Sequence, residues 1–190
     1  MKTCDFMSKT TIDLHTHTVH SDGTDTPAQL IRKARLQGIR TISVTDHDET
    51  DGIDEAKREA ERHRIRVIEG IEFGVAGVSE IHLLAYFVDI EDSKLQNVLE
   101  QKRARRERRT RTRIEKLNEL GYKIIFEDVK KRTVGSIAAP HIANELLAHE
   151  ENKKKLEQNG VKLDLHSTIG SLFGFGKPLY LPTEDGPTTK

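Results

Sequence analysis

The segment Asp13-Leu14-His15-Thr16-His17 sets two imidazoles two positions apart. In an extended strand such residues share a face, about 7 Å apart. His15 and His17 can therefore grip one metal ion, with Asp13 on the same side and Leu14 turned the other way. Imidazole suits zinc, manganese and iron alike. A lone His-x-His is as readily a pair of exposed strand histidines. More ligand types follow, however: His20-Ser21-Asp22-Gly23, Asp46-His47-Asp48, Glu72 and His82. Each has a bland explanation, a helix N-cap cluster for residues 46–48 and a solvated charge for Glu72. All of them together sit where apolar β runs begin or end, and accident explains the set poorly. His20 stays outside it as an exposed loop residue. His63, His149 and His166 lie in charged or polar stretches that solvate them.

The elements that must position these residues can be read around them. TIDLHTH (11–17), TISVTD (41–46), RVIEGIEF (66–73) and EIHLLAYFV (80–88) read as strands, with GVAGVS (74–79) as a turn. Pro27–Gln37 reads as a helix with Thr26 as N-cap, Pro27 in the first turn and Gly38 at its end. Asp51–His63 is helical, with Ile53, Ala56 and Ala60 on one stripe. This alternation predicts an α/β fold with a parallel sheet or barrel, a class that binds ligands at the carboxyl ends of its strands. There is no GxGxxG and no P-loop, so nucleotide-cofactor folds gain no support. Beyond residue 90 the pattern changes. Ser93–Leu120 is one long helical run closed by Gly121, and the chain stays mostly helical and charged to Asn159, with Pro140 as a break. KPLYLP (177–182) is β-like. The expected organisation is 1–90 as the first part of the α/β scaffold, 91–170 as a helical insertion, and 171–190 as the return to the scaffold.

Composition bounds the rest. A chain of 190 residues suits one domain with an insertion. The 31 basic and 31 acidic residues cancel, so no global field steers a partner. The single cysteine, Cys4, excludes an internal disulfide or a Cys-rich zinc site. No apolar run approaches the ~20 residues of a membrane span, and MKTCDFMSKTT lacks a signal-peptide core. A cytoplasmic protein without membrane contact or a dedicated protein partner is expected.

Residues 102–116 read KRARRERRTRTRIEK, nine basic and two acidic side chains. A solvated helix face is the usual meaning of such a run. Here the apolar residues Leu95, Val98, Leu99, Ile114, Leu117 and Leu120 share one helical stripe. Continuing that stripe through the middle brings in Lys102, Arg106, Arg109 and Arg113. Cations facing a pocket need anionic partners, and guanidinium forks suit phosphate. The helix is therefore predicted to roof the metal site and bind a second phosphate of the substrate. A break near residue 105 would rotate Arg105 inward, and Arg103 joins the substrate-binding candidates. His141 follows Pro140 at a helix start, where it can cap the helix or lie on the surface.

The strings DLHTHTVHSDGTDTP (13–27), TDHDETDG (45–52), GIEF (70–73) and EIHLLAY (80–86) resemble the polymerase-and-histidinol-phosphatase (PHP) superfamily. Within it the resemblance is strongest to the 3′,5′-nucleoside bisphosphate phosphatases, the group containing RNase AM. It extends through PHIANELL (140–147) and GKPLYLP (176–182). It implies a distorted (β/α)7 barrel with two or three divalent ions, manganese foremost, zinc or iron as alternatives. On that model His15, His17 and Glu72 hold the first ion and Asp22 and His47 the second. Glu72 bridges to a third, with His82 as a further ligand. Asp22, His47 and Glu72 are the implied catalytic residues, and Asp46 and Asp48 shape the loop behind them. The insertion, including His141, would contact substrate phosphate. The implied activity is removal of the 3′-phosphate from nucleoside 3′,5′-bisphosphates, or 5′-to-3′ degradation of short RNA. Alternatives are a histidinol-phosphatase-like monoesterase, a non-catalytic RNA-binding module and a metal-free scaffold. One departure stands out: the family's later Ala-His-Pro motif does not follow residue 80. The chain is thus expected to lack the last strands and ligands of the barrel.

Overall fold

The computed structural model describes residues 11–75, 81–174 and 176–181. Four strands form one sheet in the order β1 (Ile12–Thr16), β2 (Thr41–Val44), β3 (Arg66–Val75), β4 (Ile81–Tyr86). Between them run α1 (Pro27–Gln37) and α2 (Ile53–His63). β1, β2 and β3 pair in parallel, and β4 returns antiparallel to β3. The parallel pairs follow from the helical crossovers, whereas the short β3–β4 connection permits only a hairpin. The Tyr86 hydroxyl on β4 donates to the Leu14 carbonyl on β1 at 2.9 Å, so the two edge strands approach each other and the sheet is strongly curled.

Local sequence explains the helix ends. Thr26 accepts the Gln29 N–H through its hydroxyl, and Gln29 returns a bond to the Thr26 N–H, closing a capping box. Gly38 ends α1 at φ 84°, a left-handed conformation that glycine adopts without a Cβ penalty. α2 begins at Ile53 rather than Asp51, because residues 51 and 52 form a turn. The Asp46-His47-Asp48 cluster therefore caps no helix. Ile31, Ile42, Val44, Ile53 and Ala56 make the core between the sheet and these two helices.

The second region is helical: α3 (Ser93–Glu119), α4 (Phe126–Lys131), α5 (Ala139–Ala148), α6 (Glu150–Gln158) and α7 (Leu165–Leu172). Asp92 caps α3 by accepting the Lys94 and Leu95 N–H groups. The far half of α3 joins a separate core through Ile114 and Leu117, packed with Ile142, Leu146, Leu156, Leu172 and Leu179. Asn152 is buried among these helices and exchanges bonds with the Lys123 backbone in both directions at 2.8 Å.

Two further expectations need correction. The strand expected to end at Phe73 continues to Val75, so Glu72 lies within β3. The β-like piece 177–182 is not a strand over its described residues, 177–181. Lys177 N–H bonds back to Gly174, and Tyr180 N–H to Lys177, closing successive turns. Pro178 has no N–H to offer a ladder. Leu179 points into the helical core instead. Most of the predicted turn 74–79 lies outside the described residues.

The two regions meet beside the carboxyl ends of the parallel strands. Ser136 N–H, between α4 and α5, donates to the His20 carbonyl at 2.7 Å. Gly135 is required at that contact, because a Cβ there would stand 2.2 Å from the His20 carbonyl oxygen. The start of α3 is tied down by Gln96, which donates to the Thr50 hydroxyl and the Ile90 carbonyl.

Candidate metal and phosphate site

The backbone delivers the ligand-type residues to one mouth. β2 and β3 pair from Thr41 opposite Arg66, and the same register continues past β2 to set His47 opposite Glu72. Glu72 N–H bonds the Asp46 carbonyl, and Asp48 N–H bonds the Glu72 carbonyl. At β1 the register shifts between Asp13 and Thr16. Hydroxyls take over the pairing there: Thr16 N–H donates to the Thr45 hydroxyl, and the Thr16 hydroxyl to the Ser43 carbonyl. On the other side β4 sets His82 opposite Gly74, diagonal to Glu72. His82 Nδ1 lies 2.5 Å from Glu72 Oε1.

His15, His17, Asp22, His47, Glu72 and His82 thus converge. His15 Nε2 and His17 Nε2 are each 2.9 Å from Glu72 Oε2 and 3.1 Å from each other. His47 Nε2 is 3.5 Å from Asp22 Oδ2, and its Nδ1 is 3.6 Å from Glu72 Oε2. Three overlapping groups result: His15, His17, Glu72; His17, Asp22, His47; and His47, Glu72, His82. In each, the ligand atoms lie within 4.8 Å of one another. Asp13 lies exposed outside them, its carboxylate near the His15 N–H. His20 also lies outside them.

The arrangement fits divalent cations on two counts. A ring nitrogen carries either one proton or one lone pair, so no distribution of protons makes three hydrogen bonds around the His15–His17–Glu72 triangle. One cation accepts all three lone pairs, and neighbouring ligand atoms around an ion bound at about 2.1 Å are about 3 Å apart. In addition, His47 is 7% exposed and its Nδ1 has no hydrogen-bond partner among the described residues. The electrostatics agree. Burial opposes ionisation of Asp22, but hydrogen bonding and charge from His47, then charge from His17, outweigh it and hold the carboxyl down at about 2. Glu72 is likewise opposed by burial yet held below the usual carboxylate range by the surrounding imidazoles, His15 first. Burial pushes the His17 imidazolium down, favouring the neutral ring that a metal needs.

Across the mouth stands α3. Arg106, Arg109 and Arg113 line a cavity of about 290 Å³ together with Asp22, His47 and His82. Ala138, Ala139, Pro140, Ile169 and Phe173 supply an apolar wall to the same cavity. Arg106 Nε donates to Asp48 Oδ2 at 2.6 Å, and Lys102 Nζ lies 3.8 Å from the other Asp48 oxygen. Arg109 donates to the Leu181 carbonyl and Arg113 to the Leu179 carbonyl, so the turns after α7 brace the arginines.

The other basic candidates are placed elsewhere. Arg103 pairs with Glu49 at 3.4 Å and does not line the cavity. Burial pushes the Glu49 carboxyl up, and the pairing with Arg103 acts against that. Arg105 is exposed and does not line the cavity, and α3 runs without a break. His141 Nδ1 accepts the Ala138 N–H at 3.0 Å and so caps α5; burial pushes its imidazolium down, and the charge of Asp22 acts against this. His63 and His149 are paired with Glu59 and Glu145, and His166 is exposed.

A family model described as "PHP domain" matches residues 13–173. The chain belongs to the PHP domain family. Among curated PHP relatives, the 5′-3′ exoribonuclease of Haemophilus influenzae is 31% identical over 136 residues, covering 71% of this chain and 50% of that protein. The 3′,5′-nucleoside bisphosphate phosphatase of Chromobacterium violaceum is 27% identical over 171 residues, covering 90% of this chain and 57% of the relative. The chain therefore spans about half the length of these relatives. A solved structure of an amidohydrolase from Chromobacterium violaceum, with bound sulfate and no metal, superposes with a TM-score of 0.78 at 28% identity. That match covers 92% of this chain and 59% of the other. The curled four-stranded sheet with its helices matches part of a PHP (β/α) barrel. Among the described residues no helix is long and apolar enough to cross a membrane.

Two contacts of this PHP site, the Asp48–Arg106 pair and the Ser21 hydroxyl, lie beyond the sequence reading, which gives Asp48 only a loop-shaping role. Asp48 is the anchor of Arg106, and its φ of 51°, unusual for a non-glycine residue, marks the bend that aims it there. Ser21, buried between His17 and Asp46, was read only as part of a loop motif. A buried hydroxyl beside a histidine leaves no signature in spacing or hydropathy.

Proposed function

We propose that this chain carries the metal- and phosphate-binding half of a phosphoesterase. The proposed reaction is hydrolysis of the 3′-phosphate of nucleoside 3′,5′-bisphosphates, or 5′-to-3′ cleavage of short RNA. One observation carries the reading: Asp22, His47 and His82 of the imidazole–carboxylate cluster line the same cavity as Arg106, Arg109 and Arg113 of α3. A substrate with two phosphates needs both. A monoester would leave Arg106, Arg109 and Arg113 facing the cavity without an anion from the substrate.

His15, His17 and Glu72 would hold one ion, Asp22 and His47 a second, and Glu72 with His82 a third. When bound, the divalent ions, manganese foremost, would supply Lewis acidity and a water acidic enough to act as nucleophile. The chain's own groups do the rest. Asp22 and Glu72 stay ionised, so they hold negative charge at the mouth without a proton to lose. Arg109 and Arg113 offer guanidinium forks to the oxygens of the second phosphate, which positions the first at the metal ligands. The apolar wall excludes water from the side of the nucleoside.

The test is a phosphate-release panel with added manganese, using a nucleoside 3′,5′-bisphosphate, a nucleoside monophosphate, histidinol phosphate and a short 5′-phosphorylated RNA. It is run on this chain and on a longer one carrying the family's C-terminal segment. Release from the bisphosphate or the RNA that falls on charge reversal of Arg109 supports the reading. Release from histidinol phosphate alone, or equal release with the arginines reversed, would replace it with a small-monoester phosphatase. RNA binding that persists in His15→Ala and His47→Ala without hydrolysis would replace it with a binding module.

A further inference from the structure

The three arginines that line the cavity are not equivalent. Arg109 and Arg113 each give an N–H to a backbone carbonyl, of Leu181 and of Leu179. Arg106 instead gives its Nε–H to Asp48 Oδ2 at 2.6 Å, and Asp48 is its sole hydrogen-bond or ion-pair partner among the described residues. The Arg106 side chain is only 19% exposed, yet its two terminal amino groups have no protein acceptor among those residues. It lines the cavity together with Asp22, His47 and His82. Donors withdrawn from water in this way call for an acceptor, and a guanidinium fork matches the oxygens of a phosphate.

Asp48 is built to hold that guanidinium. Its side chain is 3% exposed, and its N–H is pinned to the Glu72 carbonyl at 3.1 Å. Its Oδ1 has no hydrogen-bond partner among the described residues, so the carboxylate is bonded by Arg106 alone. Lys102, 3.8 Å from Oδ1, gives its proton to the Gly74 carbonyl at 2.7 Å. Gly74 lies beside the pair: a Cβ there would stand 3.4 Å from Arg106 Nη2 and 3.9 Å from Asp48 Oδ2. Asp48 also follows His47 directly in the chain. One loop thus places both an imidazole of the ligand cluster and the acceptor for the guanidinium.

We propose that Asp48 is a positioning residue that holds Arg106 by Nε and so presents its terminal amino groups to the phosphate seated at the metal ligands. A bond at Nε leaves both amino groups of the fork to the ligand, whereas a bond at either of them would use up half of it. The spacing between this guanidinium and His47 is set by one backbone step and one short hydrogen bond. Arg109 and Arg113, braced by the turns after α7, are left for the second phosphate.

The inference rests on the reading of the cavity as a two-phosphate site, and its test separates the two. The probes are a nucleoside 3′-phosphonate and its 5′-phosphorylated form, in which a methylene replaces the scissile oxygen and hydrolysis is blocked. Their binding is measured by calorimetry with added manganese. Asp48→Gly removes the carboxylate and suits the left-handed backbone, φ 51°, at that position. It should weaken both probes alike, by about tenfold. It should add nothing to the loss in Arg106→Ala, about ten- to a hundredfold. Asp48→Asn keeps an oxygen for Nε and should recover part of the loss. In the free chain the Arg106 Nε–H signal should exchange slowly with water, and quickly in Asp48→Gly. Losses from Asp48→Gly and Arg106→Ala that simply add, or a loss confined to the two-phosphate probe, would overturn the inference and leave the proposed function standing. A rapidly exchanging wild-type Nε–H would overturn it too, and decides the matter should the variants fail to fold. A slowly exchanging Nε–H in a wild-type chain that binds neither probe would sink the proposed substrate, and this role of Asp48 with it.

Discussion

The sheet region and the helical region each have their own apolar core, and they spend their charged residues differently. In the sheet region the buried polar groups lie in the loop after β2 and within β3: Asp46, His47, Asp48, Glu49 and Glu72 are all at most 7% exposed. They are held by backbone register and by hydroxyl bonds, so their geometry is set before any ligand arrives. In the helical region the charges that line the cavity lie on one stripe of α3, carried on long flexible side chains. Those side chains are placed by what they bond: Asp48 for Arg106, and the carbonyls of Leu181 and Leu179 for Arg109 and Arg113. The contrast suits the chemistry proposed for each. Metal ligands tolerate errors of only tenths of an ångström, whereas a phosphate can be followed by an arginine that moves.

The sharpest break between the regions is loss of a ligand. His47→Ala should lower affinity for divalent ions more than about a hundredfold, as measured by calorimetry, since both remaining neighbours Asp22 and Glu72 lose a partner. The helical core should melt as before. If metal binding survives that change, the convergence at the mouth is not a metal site. Next comes Leu146→Ala, at a fully buried position in the helical core. It should cost about 2–5 kcal/mol in denaturant unfolding, while metal affinity changes little. An equal loss of metal affinity would mean that the two cores are one cooperative unit.

A third change sharpens the division of labour. Arg109→Glu should weaken binding of a nucleoside bisphosphate about ten- to a hundredfold, the range for losing a charge-assisted pair, with metal affinity unaltered. A smaller effect concerns Asp22. Its folded-state pKa of about 2 lies below the unfolded value, so it contributes stability above the unfolded value that is lost as pH falls through about 2. In His47→Ala the burial remains and the main opposing cause goes, so the Asp22 carboxyl should titrate higher in carbon-detected NMR. An unmoved titration would remove His47 as the cause. The least effect is expected from Lys33→Ala. Lys33 is exposed and bonded to Asp25 at 2.7 Å on the far surface of α1. Its loss should change stability by under about 1 kcal/mol, and a larger change would show that the loop after β1 depends on this pair.

Much of the frame was readable from the chain alone. The capping box at Thr26, the Gly38 stop and the stripe of Ile53, Ala56 and Ala60 are local features, and they appear where the local rules put them. The stripe that carries Arg106, Arg109 and Arg113 was legible because a helix repeats its faces regularly. The KPLYLP piece was misread because alternating apolar residues look alike in an edge strand and in turns that insert a leucine into a core. Only the packing of Leu179 against α7 separates the two. Arg103 and Arg105 could not be sorted from Arg106 by charge. Where they lie, Arg103 beside Glu49 and Arg105 at an exposed position off the cavity, depends on how α3 lies over the strand ends.

By itself the amino-acid sequence determined which residues could do chemistry and which elements carried them, because residue type, period and capping act over a few neighbouring positions. The tertiary structure decided what those residues do to one another. Whether His47 meets Glu72 depends on strand register, and whether Arg106 meets Asp48 depends on where α3 docks. Such contacts join positions tens of residues apart, and no local preference encodes them.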